Sequence, residues 1–249
     1  ALLRSRRFRA VFSRDQLTAD DLSQQLRRPV QFVGNPFMDP VLTLAPALPA
    51  APRRIGLLPG SRRPELEHNL VLLLRLIEQL PANPVCELDL ALVSSLNDAA
   101  LATIASREGW QLNGAQLLRD DALPITVHRD AFQSVLQHSD LVIGMAGTAI
   151  EQAVGLAKPA LQIPGQGPQF TSAFAEAQRR LLGPTVFCAP GDSGSQANLQ
   201  ASAELVTALL ERYRNDPHFQ QQLRTEAVRR LGSNGGGLRM AAAISALLP

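Results

Sequence analysis

Cysteine and long apolar runs are scarce in this chain of 249 residues. Its two cysteines, Cys86 and Cys188, each lie in an apolar run typical of a buried strand, so we expect two unpaired thiols in a reducing compartment and no zinc site. No apolar stretch approaches the ~20 residues that a membrane span requires, and the first residues lack the apolar core of a signal peptide. The sequence therefore predicts a soluble, cytoplasmic protein.

A strong charge of either sign is also missing. The formal net charge is +2, and Lys158 is the only lysine among 24 basic residues. A balance so close to neutral gives no broad basic surface, so no nucleic-acid partner is expected. With 45% hydrophobic and 18% charged residues, a chain of this length is able to bury a core without disulfides or metal ions.

The beginning of the chain has the pattern of a small βαβ unit. Residues 10–13 and 30–33 are expected to form short strands. Between them we expect a helix that begins at Thr18, because Thr18 and Asp21 have the spacing of a capping box. This unit would be a βαβ piece without the rest of its sheet.

The remainder of the chain alternates between strands and helices. A Pro- and Ala-rich linker over residues 46–53 separates residues 1–45, the βαβ piece with a hinge, from a larger domain over residues 54–249. The alternation in that domain predicts an α/β fold, a Rossmann-like parallel sheet with helices on both faces. Its strands are expected at residues 55–58, 86–92, 125–127, 141–143, 160–163 and 185–188, with a further short one at 110–112.

Three loops are expected at the carboxyl edge of this sheet, where open α/β sheets bind their ligands. The first contains Gly60, Ser61 and Arg62, whose backbone, hydroxyl and guanidinium groups suit a phosphate. A glycine turn beside solvated arginines is the alternative interpretation of the same residues. The third loop, over residues 164–171, combines a flexible turn with two amide side chains.

The second loop leads from a strand through Gly147 into a helix. Free N–H groups at the start of a helix, together with its positive dipole end, favour a diphosphate as ligand. Thr148 and Glu151 also have the spacing of a capping box. Glu151 is therefore expected either to satisfy a backbone N–H or to accept hydrogen bonds from ribose hydroxyls.

Other phosphate and metal motifs are absent from the sequence. There is no Walker A motif and no G-x-G-x-x-G that opens a helix after a strand, which argues against ATP and NAD. The histidines are scattered, so neither a metal ion nor another cofactor is expected. Glu87 and Asp89 are expected on the solvent side of a strand. His128 follows a predicted strand end and is expected either to line the ligand crevice or to pack at the surface or in the core.

Three motifs, in their order and spacing, resemble those of lipid-A-disaccharide synthases, which are nucleotide-sugar glycosyltransferases of the GT-B architecture. They are Val33-Gly34-Asn35-Pro36, Leu57-Leu58-Pro59-Gly60-Ser61-Arg62, and Ala146-Gly147-Thr148-Ala149 with Glu151. The longer run over residues 144–183 is similar to related proteins of cyanobacteria and plants. The resemblance extends from about Val11 to the C-terminus.

The resemblance implies that the chain is mainly a C-terminal, donor-binding domain, the C-terminal half of a GT-B fold, and that its partner is a UDP-sugar donor of the UDP-GlcNAc type. Glu151 would bind the ribose. Gln152 and Gln169 are second-rank candidates for the donor sugar, and their amides would equally suit a role in holding loop backbone. The residues that the resemblance places at the diphosphate are Gly60, Ser61, Arg62, Gly147, Thr148 and Ala149.

Two residues depart from the bacterial synthases, which usually have histidine at the position of Asn35 and serine at that of Ala146, so their acceptor is not carried over. The resemblance also places the general base in an N-terminal domain of which only the last βαβ piece is found, so the chain is expected to be inactive alone. The alternatives are a UDP-sugar epimerase-like enzyme and a non-catalytic remnant that binds a partner. A homodimer is compatible with an exposed apolar docking face. Peripheral membrane contact is an expectation for the full-length enzyme only, because in such enzymes it comes largely from the N-terminal domain.

Overall fold

The strands and helices are taken from a computed structural model, which describes residues 2–5, 7–81, 86–145, 147–163 and 172–248. One sheet contains all the named strands. They are β1 (Arg54–Leu58), β2 (Glu87–Leu92), β3 (Gln111–Asn113), β4 (Gln116–Leu118), β5 (Ile125–Arg129), β6 (Leu141–Gly144), β7 (Ala160–Gln162) and β8 (Val186–Cys188).

Helices precede the sheet, connect its strands and form the C-terminal part of the chain. They are α1 (Gln16–Leu26), α2 (Asp39–Leu42), α3 (Glu65–Ile77), α4 (Asp98–Arg107), α5 (Phe132–His138), α6 (Thr148–Gly155), α7 (Ser172–Leu182), α8 (Gln196–Asn215), α9 (Pro217–Leu231) and α10 (Gly236–Ser245). No helix in the described ranges is long and apolar enough to cross a membrane.

The sheet has eight strands in the order β3-β4-β5-β2-β1-β6-β7-β8. From β5 to β8 in this order, neighbouring strands pair in parallel. As in a doubly wound fold, the chain builds the sheet outward in both directions from its centre, and the switch point lies between β1 and β6. This confirms the predicted α/β fold. The sheet is nevertheless mixed, because β3 and β4 add an antiparallel extension beyond β5. A strand was expected at 110–112, but β4 was not, since three residues show too little alternation to indicate a strand.

Apolar side chains cover both faces of the sheet, as predicted. On one face, Ile55 and Leu57 of β1 pack in a cluster with apolar residues of α3, α4 and α8. On the other, Leu58 and Val142 pack with residues of α5 and α6. The alternation of Leu57 and Leu58 between the two clusters is the period-two pattern of a strand that is buried on both sides. The sheet is therefore a rigid platform for the loops at its edges.

A buried ion cluster lies across the central strands. Asp89 of β2 is 1% exposed, and its carboxylate accepts hydrogen bonds from Arg54 of β1 and, at 2.5 Å, from Nε2 of His128 of β5. The expectation that Asp89 faces solvent is therefore wrong. The arginine guanidinium also donates to the Pro49 carbonyl at 2.5 Å, so residues before β1 lie over the cluster. Buried charges are tolerated when they are paired in this way.

The N-terminal βαβ pattern is present in reduced form. The two expected strands meet in a single parallel bridge between Phe12 and Gln31. Helix α1 begins at Gln16, two residues before the predicted start, because the Asp15 side chain caps it by accepting a hydrogen bond from the Thr18 N–H at 2.8 Å. The capping pair predicted from Thr18 and Asp21 is therefore wrong.

The predicted linker contains neither helix nor strand: residues 44–53 connect α2 to β1 directly. The segment before β1 is nevertheless tied to α5, since the Ala45 N–H donates to Gln137 Oε1 at 3.1 Å and Gln137 Nε2 donates to the Val41 carbonyl at 2.7 Å. The division of the chain into domains at residues 46–53 stays a prediction.

The two cysteines are free thiols. Cys86 is buried, and burial raises the pKa of its thiol to about 11, while Cys188 is half-buried and its pKa is also raised by burial. A thiol whose pKa is raised carries little thiolate at neutral pH and is poorly reactive. Both residues therefore act as small core or near-core side chains.

The Asp39 carboxylate joins the segment before β1 to the C-terminal helix. It accepts hydrogen bonds from the N–H groups of Gly235, Gly236 and Gly237, at 2.8, 3.1 and 2.8 Å, and so caps the start of α10. Gly236 also approaches the Gly34 backbone so closely that an added Cβ would lie 2.7 Å from the Gly34 carbonyl oxygen. Partial burial raises the pKa of Asp39, but these three N–H donors and the charge of Arg239 lower it more, so its pKa lies below the ordinary value.

We expect Asp39→Ala to lower the free energy of unfolding by about 1 kcal/mol at neutral pH, the usual cost of losing a helix cap. Because the pKa is lowered in the folded protein, this contribution is present above the ordinary aspartate pKa and is lost as the pH falls through the folded value. Urea unfolding at pH 7 and in acid measures both effects. The exposed Asp120→Ala is the control, and an equal loss in both variants would contradict the capping role.

Candidate functional site

A cleft of about 390 Å³ opens at the carboxyl edge of the sheet, beside the switch point. β1 and β6 end side by side there, with Leu58 opposite Gly144. Because the chain leaves these two strands toward opposite faces, a crevice forms between the loops that follow them. The cleft is lined by Leu58, Gly60, Ser61, Ala91, Leu92, Val93, Asp130, Phe132, Thr148, Ala149 and Gln152.

The loop after β1 forms one wall of the cleft. Gly60 has a φ of +98°, which turns the chain from the strand toward α3. Asn69, buried on α3, donates from Nδ2 to the Pro59 carbonyl at 2.9 Å and so holds the start of this turn. Ser61 is exposed at the cleft. A hydroxyl and a glycine backbone therefore face the space between the two loops.

Arg62 and Arg63 follow this wall and differ in their contacts. Arg63 forms an ion pair with Glu67 one helical turn later. Arg62 is exposed and has no ion pair within the described part of the chain, and it does not itself line the cleft. An arginine without a protein partner beside the cleft is available to an anionic ligand.

The start of α6 forms the opposite wall. Gly147 is the N-cap residue and supplies no side-chain cap, while its carbonyl accepts hydrogen bonds from the N–H groups of Ile150 and Glu151. In the described part of the chain, the N–H groups of Thr148 and Ala149 have no hydrogen-bond partner, and both residues line the cleft. These unpaired groups carry the positive end of the helix dipole.

The N–H of Gly147 is not free for a diphosphate, contrary to the expectation from the sequence. Its N–H donates to Gln178 Oε1 at 3.3 Å and its carbonyl accepts from Gln178 Nε2 at 2.9 Å. The N–H of Gly147 is therefore used within the protein, and among the described residues of this wall the N–H groups of Thr148 and Ala149 are the ones available to a ligand. The capping box expected from Thr148 and Glu151 does not form, because Thr148 is already inside the helix.

Glu151 points to a partner outside the second loop. Its Oε2 lies 2.8 Å from the Arg14 guanidinium, and its side chain is 15% exposed. Oε1 has no hydrogen bond to any residue in the described ranges. Glu151 does not line the cleft, although it is one residue before Gln152, which does. One carboxylate oxygen is thus committed to Arg14 and the other is free to accept.

Of the two glutamine candidates, Gln152 is among the described residues. Gln152 Nε2 donates to the Phe37 carbonyl at 2.7 Å, which corresponds to the alternative in which this amide holds loop backbone. Gln169 and the third loop lie outside the described residues. Two other residues singled out in the sequence do not line the cleft: Asn35 caps the turn at Phe37, and His128 belongs to the buried cluster with Asp89.

The far wall of the cleft was missed by the sequence interpretation. Ala91, Leu92 and Val93 come from the end of β2, and Asp130 and Phe132 follow β5. The rule that pointed to the loops after β1 and β6 applies equally to these strand ends, and would have found them. In the described ranges, no group of three or more His, Cys, Asp or Glu residues is arranged to hold a metal ion.

No family model matches the sequence. The chain is 30% identical over 242 residues to the lipid-A-disaccharide synthase of Trichlorobacter lovleyi, a match that covers 90% of this chain and 59% of that protein. It is 28% identical over 236 residues to the synthase of Geobacter sulfurreducens, with 88% and 58% covered. The chain thus spans about three fifths of the length of these curated relatives.

Solved structures with the same fold include a protein described as a UDP-N-acetylglucosamine 2-epimerase from Listeria monocytogenes, with a TM-score of 0.59 and 17% identity over 96% of this chain and 59% of that one. The S. aureus MnaA–UDP structure has a TM-score of 0.59 and 14% identity over 96% and 60%. The glycotransferase of kitacinnamycin has a TM-score of 0.57 and 19% identity over 92% and 51%.

Identities this low establish the fold alone. The chain shares the α/β fold of the matching parts of these glycosyltransferase and UDP-N-acetylglucosamine 2-epimerase structures, and its sequence is similar to that of lipid-A-disaccharide synthases.

Proposed function

We propose that this chain binds a UDP-sugar, of the UDP-GlcNAc type, and is the donor-binding part of a hexosyltransferase related to lipid-A-disaccharide synthase. The observation that carries the proposal is the cleft at the switch point, where the Gly60 and Ser61 turn faces the unpaired N–H groups that begin α6. The similarity to the synthases supports the choice of ligand and reaction. The further assignment to the cyanobacterial and plant branch belongs to the same proposal.

The phosphate end of the cleft would be formed by these two walls. The N–H groups of Thr148 and Ala149 and the hydroxyl of Ser61 are donors without a partner in the described part of the chain. The helix dipole adds positive potential at the same place. Arg62, which has no ion pair with any described residue, would add a full positive charge from beside the cleft. This donor set suits the two phosphates of a nucleoside diphosphate.

The nucleoside end would lie toward β2 and β5. Leu92, Val93 and Phe132 give that part of the cleft an apolar lining, which suits the face of a base. Asp130 lies at the same end: its Oδ1 accepts a hydrogen bond from the Ser94 N–H at 3.3 Å, and its other oxygen would accept one from a base N–H. Glu151 lies next to the cleft-lining Gln152, and its Oε1, which has no hydrogen bond within the described residues, would accept one from a ribose hydroxyl while Oε2 stays with Arg14.

The reaction proposed for the longer protein is a displacement at the anomeric carbon of the donor sugar. The acceptor hydroxyl forms the new bond to that carbon, the bond to the diphosphate oxygen breaks, and UDP leaves with the electron pair. Arg62 and the start of α6 would stabilise the charge on the leaving diphosphate. The proton of the acceptor goes to a general base, to which we assign no residue of this chain, so the chain by itself is proposed to be inactive.

Calorimetric titration with UDP and UDP-GlcNAc tests the proposal. We expect binding, with a Kd between about 1 µM and 1 mM, the usual range for enzyme substrates. Arg62→Ala and Glu151→Ala should each weaken binding, because the first removes a charge near the diphosphate and the second an acceptor for the ribose. Arg63→Ala is the matched control, since the neighbouring arginine is already paired with Glu67. Folded protein that binds neither ligand at millimolar concentration contradicts the proposal and favours a non-catalytic remnant.

An epimerase-like activity is the second candidate, because the fold is equally that of UDP-N-acetylglucosamine 2-epimerases. The two candidates differ in the need for an acceptor. If UDP-GlcNAc incubated with the protein alone shows conversion at its C2 centre by NMR, the epimerase is favoured; unchanged donor favours the transferase part.

The C-terminal helix leaves apolar side chains exposed. Leu238 and Ile244 of α10 are 78% and 47% exposed, and Leu248, three residues after the helix, is 67% exposed. Such a surface suits contact with another protein surface or a bilayer. A homodimer, and peripheral membrane contact of a longer protein, stay predictions.

A further inference from the structure

Two buried glutamines lie behind the second wall of the cleft. Gln162 ends β7 and is 0% exposed, and Gln178 is on α7 and is 5% exposed. A buried amide costs free energy unless its polar atoms find hydrogen-bond partners, so the partners of these side chains indicate their role. Neither residue lines the cleft.

The partners are the backbone groups of the turn before α6. The Gln178 amide bonds both the N–H and the carbonyl of Gly147, at 3.3 and 2.9 Å, as a neighbouring strand would. Gln162 Nε2 donates to Gln178 Oε1 and, at 3.4 Å, to the Met145 carbonyl. The pair therefore holds the chain at two points, one before and one at the N-cap of the helix.

The turn depends on this support because its own sequence provides little. Gly147 has φ +80° and ψ −156°, a region that is essentially restricted to glycine, and glycine has little intrinsic preference for one backbone conformation. No side chain caps α6 at its N-cap position. The direction of the next two N–H groups, those of Thr148 and Ala149, follows from the conformation of Gly147. Gln178 thus fixes the groups that the proposed function places at the diphosphate.

We propose that Gln178, supported by Gln162, is a positioning residue for the diphosphate subsite. It acts through Gly147 and touches no ligand. This inference rests on the proposed function, since it concerns the same cleft. Its consequence is specific: loss of the amide should weaken the binding of ligands that carry phosphate more than the binding of the nucleoside.

Gln178→Met tests the inference, because methionine keeps the length of the side chain and removes both hydrogen bonds. We expect the Kd for UDP to rise about tenfold, which corresponds to the net contribution of one to two hydrogen bonds. The Kd for uridine should change less than about twofold. Both ligands are titrated by calorimetry. Gln162→Met should raise the Kd for UDP by a smaller factor, about threefold.

Gln137→Met is the matched control. That glutamine also holds backbone groups, those of Val41, Thr43 and Ala45, through three hydrogen bonds. It lies at the C-terminal end of α5, whereas the cleft-lining Phe132 begins that helix. It should leave both Kd values unchanged. If Gln178→Met does not fold, the ratio of UDP to uridine affinity in Gln162→Met decides the question.

The outcomes separate the two proposals. Wild-type protein that binds UDP while Gln178→Met binds it equally well overturns the inference alone. An equal loss of UDP and uridine affinity also overturns it, since that result indicates a general structural role. Wild-type protein that binds no UDP overturns the proposed function, and the inference with it.

Discussion

Asp89→Asn is expected to lower the free energy of unfolding by about 3 to 5 kcal/mol, the usual cost of removing one partner from a buried ion pair. The substitution keeps the shape of the side chain and removes its charge. Arg54 is 6% exposed and would keep its charge beneath the chain at Pro49, with no carboxylate in contact. Because small domains have a total stability of about 5 to 15 kcal/mol, this loss should be evident in urea unfolding.

The surface pair of Asp98 and Arg129 provides the control for this prediction. Its carboxylate lies 2.5 Å from the Arg129 guanidinium, but the Asp98 side chain is 77% exposed. Asp98→Asn should therefore cost less than about 1 kcal/mol, because solvent screens the charge that remains. A loss at Asp89 as small as that at Asp98 would show that the buried cluster contributes little. The double variant Arg54→Met with Asp89→Leu should recover much of the stability, since it removes both charges together.

Gly147→Ala is expected to have the largest effect on ligand binding. No atom of the described residues lies within 4 Å of the position that a Cβ would occupy, so the expected cost comes from the backbone and not from a clash. Alanine either stays at φ +80°, which costs about 1 to 3 kcal/mol, or rotates and turns the N–H groups of Thr148 and Ala149 away from the cleft. In the second case the affinity for UDP should fall at least about tenfold, equivalent to 1.4 kcal/mol.

Gly114→Ala separates the loss of stability from the loss of UDP affinity. Gly114 also has a positive φ, +56°, and open space at its Cβ position, but it lies in the turn between β3 and β4. Its replacement should lower the midpoint of thermal unfolding and leave the Kd for UDP unchanged. If Gly147→Ala keeps the wild-type midpoint of thermal unfolding, so that its backbone has rotated, and still binds UDP as the wild type does, the start of α6 has no part in ligand binding and the proposed phosphate end of the cleft must be abandoned.

The positions of the first two loops were predictable because they depend on local pattern. Apolar runs gave the strands that precede Gly60 and Gly147, and parallel strands bring their carboxyl ends to one edge of a sheet. The same reasoning failed for β4, which is only three residues long, and for the start of α1, where Asp15 caps the helix before the expected pair does. Short elements and caps depend on single contacts, and periodicity does not report them.

The partners of individual polar side chains were not predictable. Alternation along β2 places Asp89 and Glu87 on the same face of the sheet. It does not reveal that the segment before β1, at Pro49, packs over Asp89 and Arg54. Capping spacing near Glu151 suggested a local partner, whereas the carboxylate is paired with Arg14. The segment that covers Asp89 and the arginine that pairs with Glu151 both come from distant parts of the chain. From the local sequence alone, each carboxylate would be expected to contact water.

The sequence by itself determined the alternation of strands and helices, the α/β class, and the two glycine-containing loops at one edge of the sheet, because these follow from hydrophobic period and chain direction. Only the tertiary structure decided the strand order that places the switch point between β1 and β6, the burial of Asp89, and the contact of Gln178 with Gly147. These features arise from contacts between segments far apart in the chain. Their free energy comes from burial and hydrogen bonding that exist only when the segments are packed together.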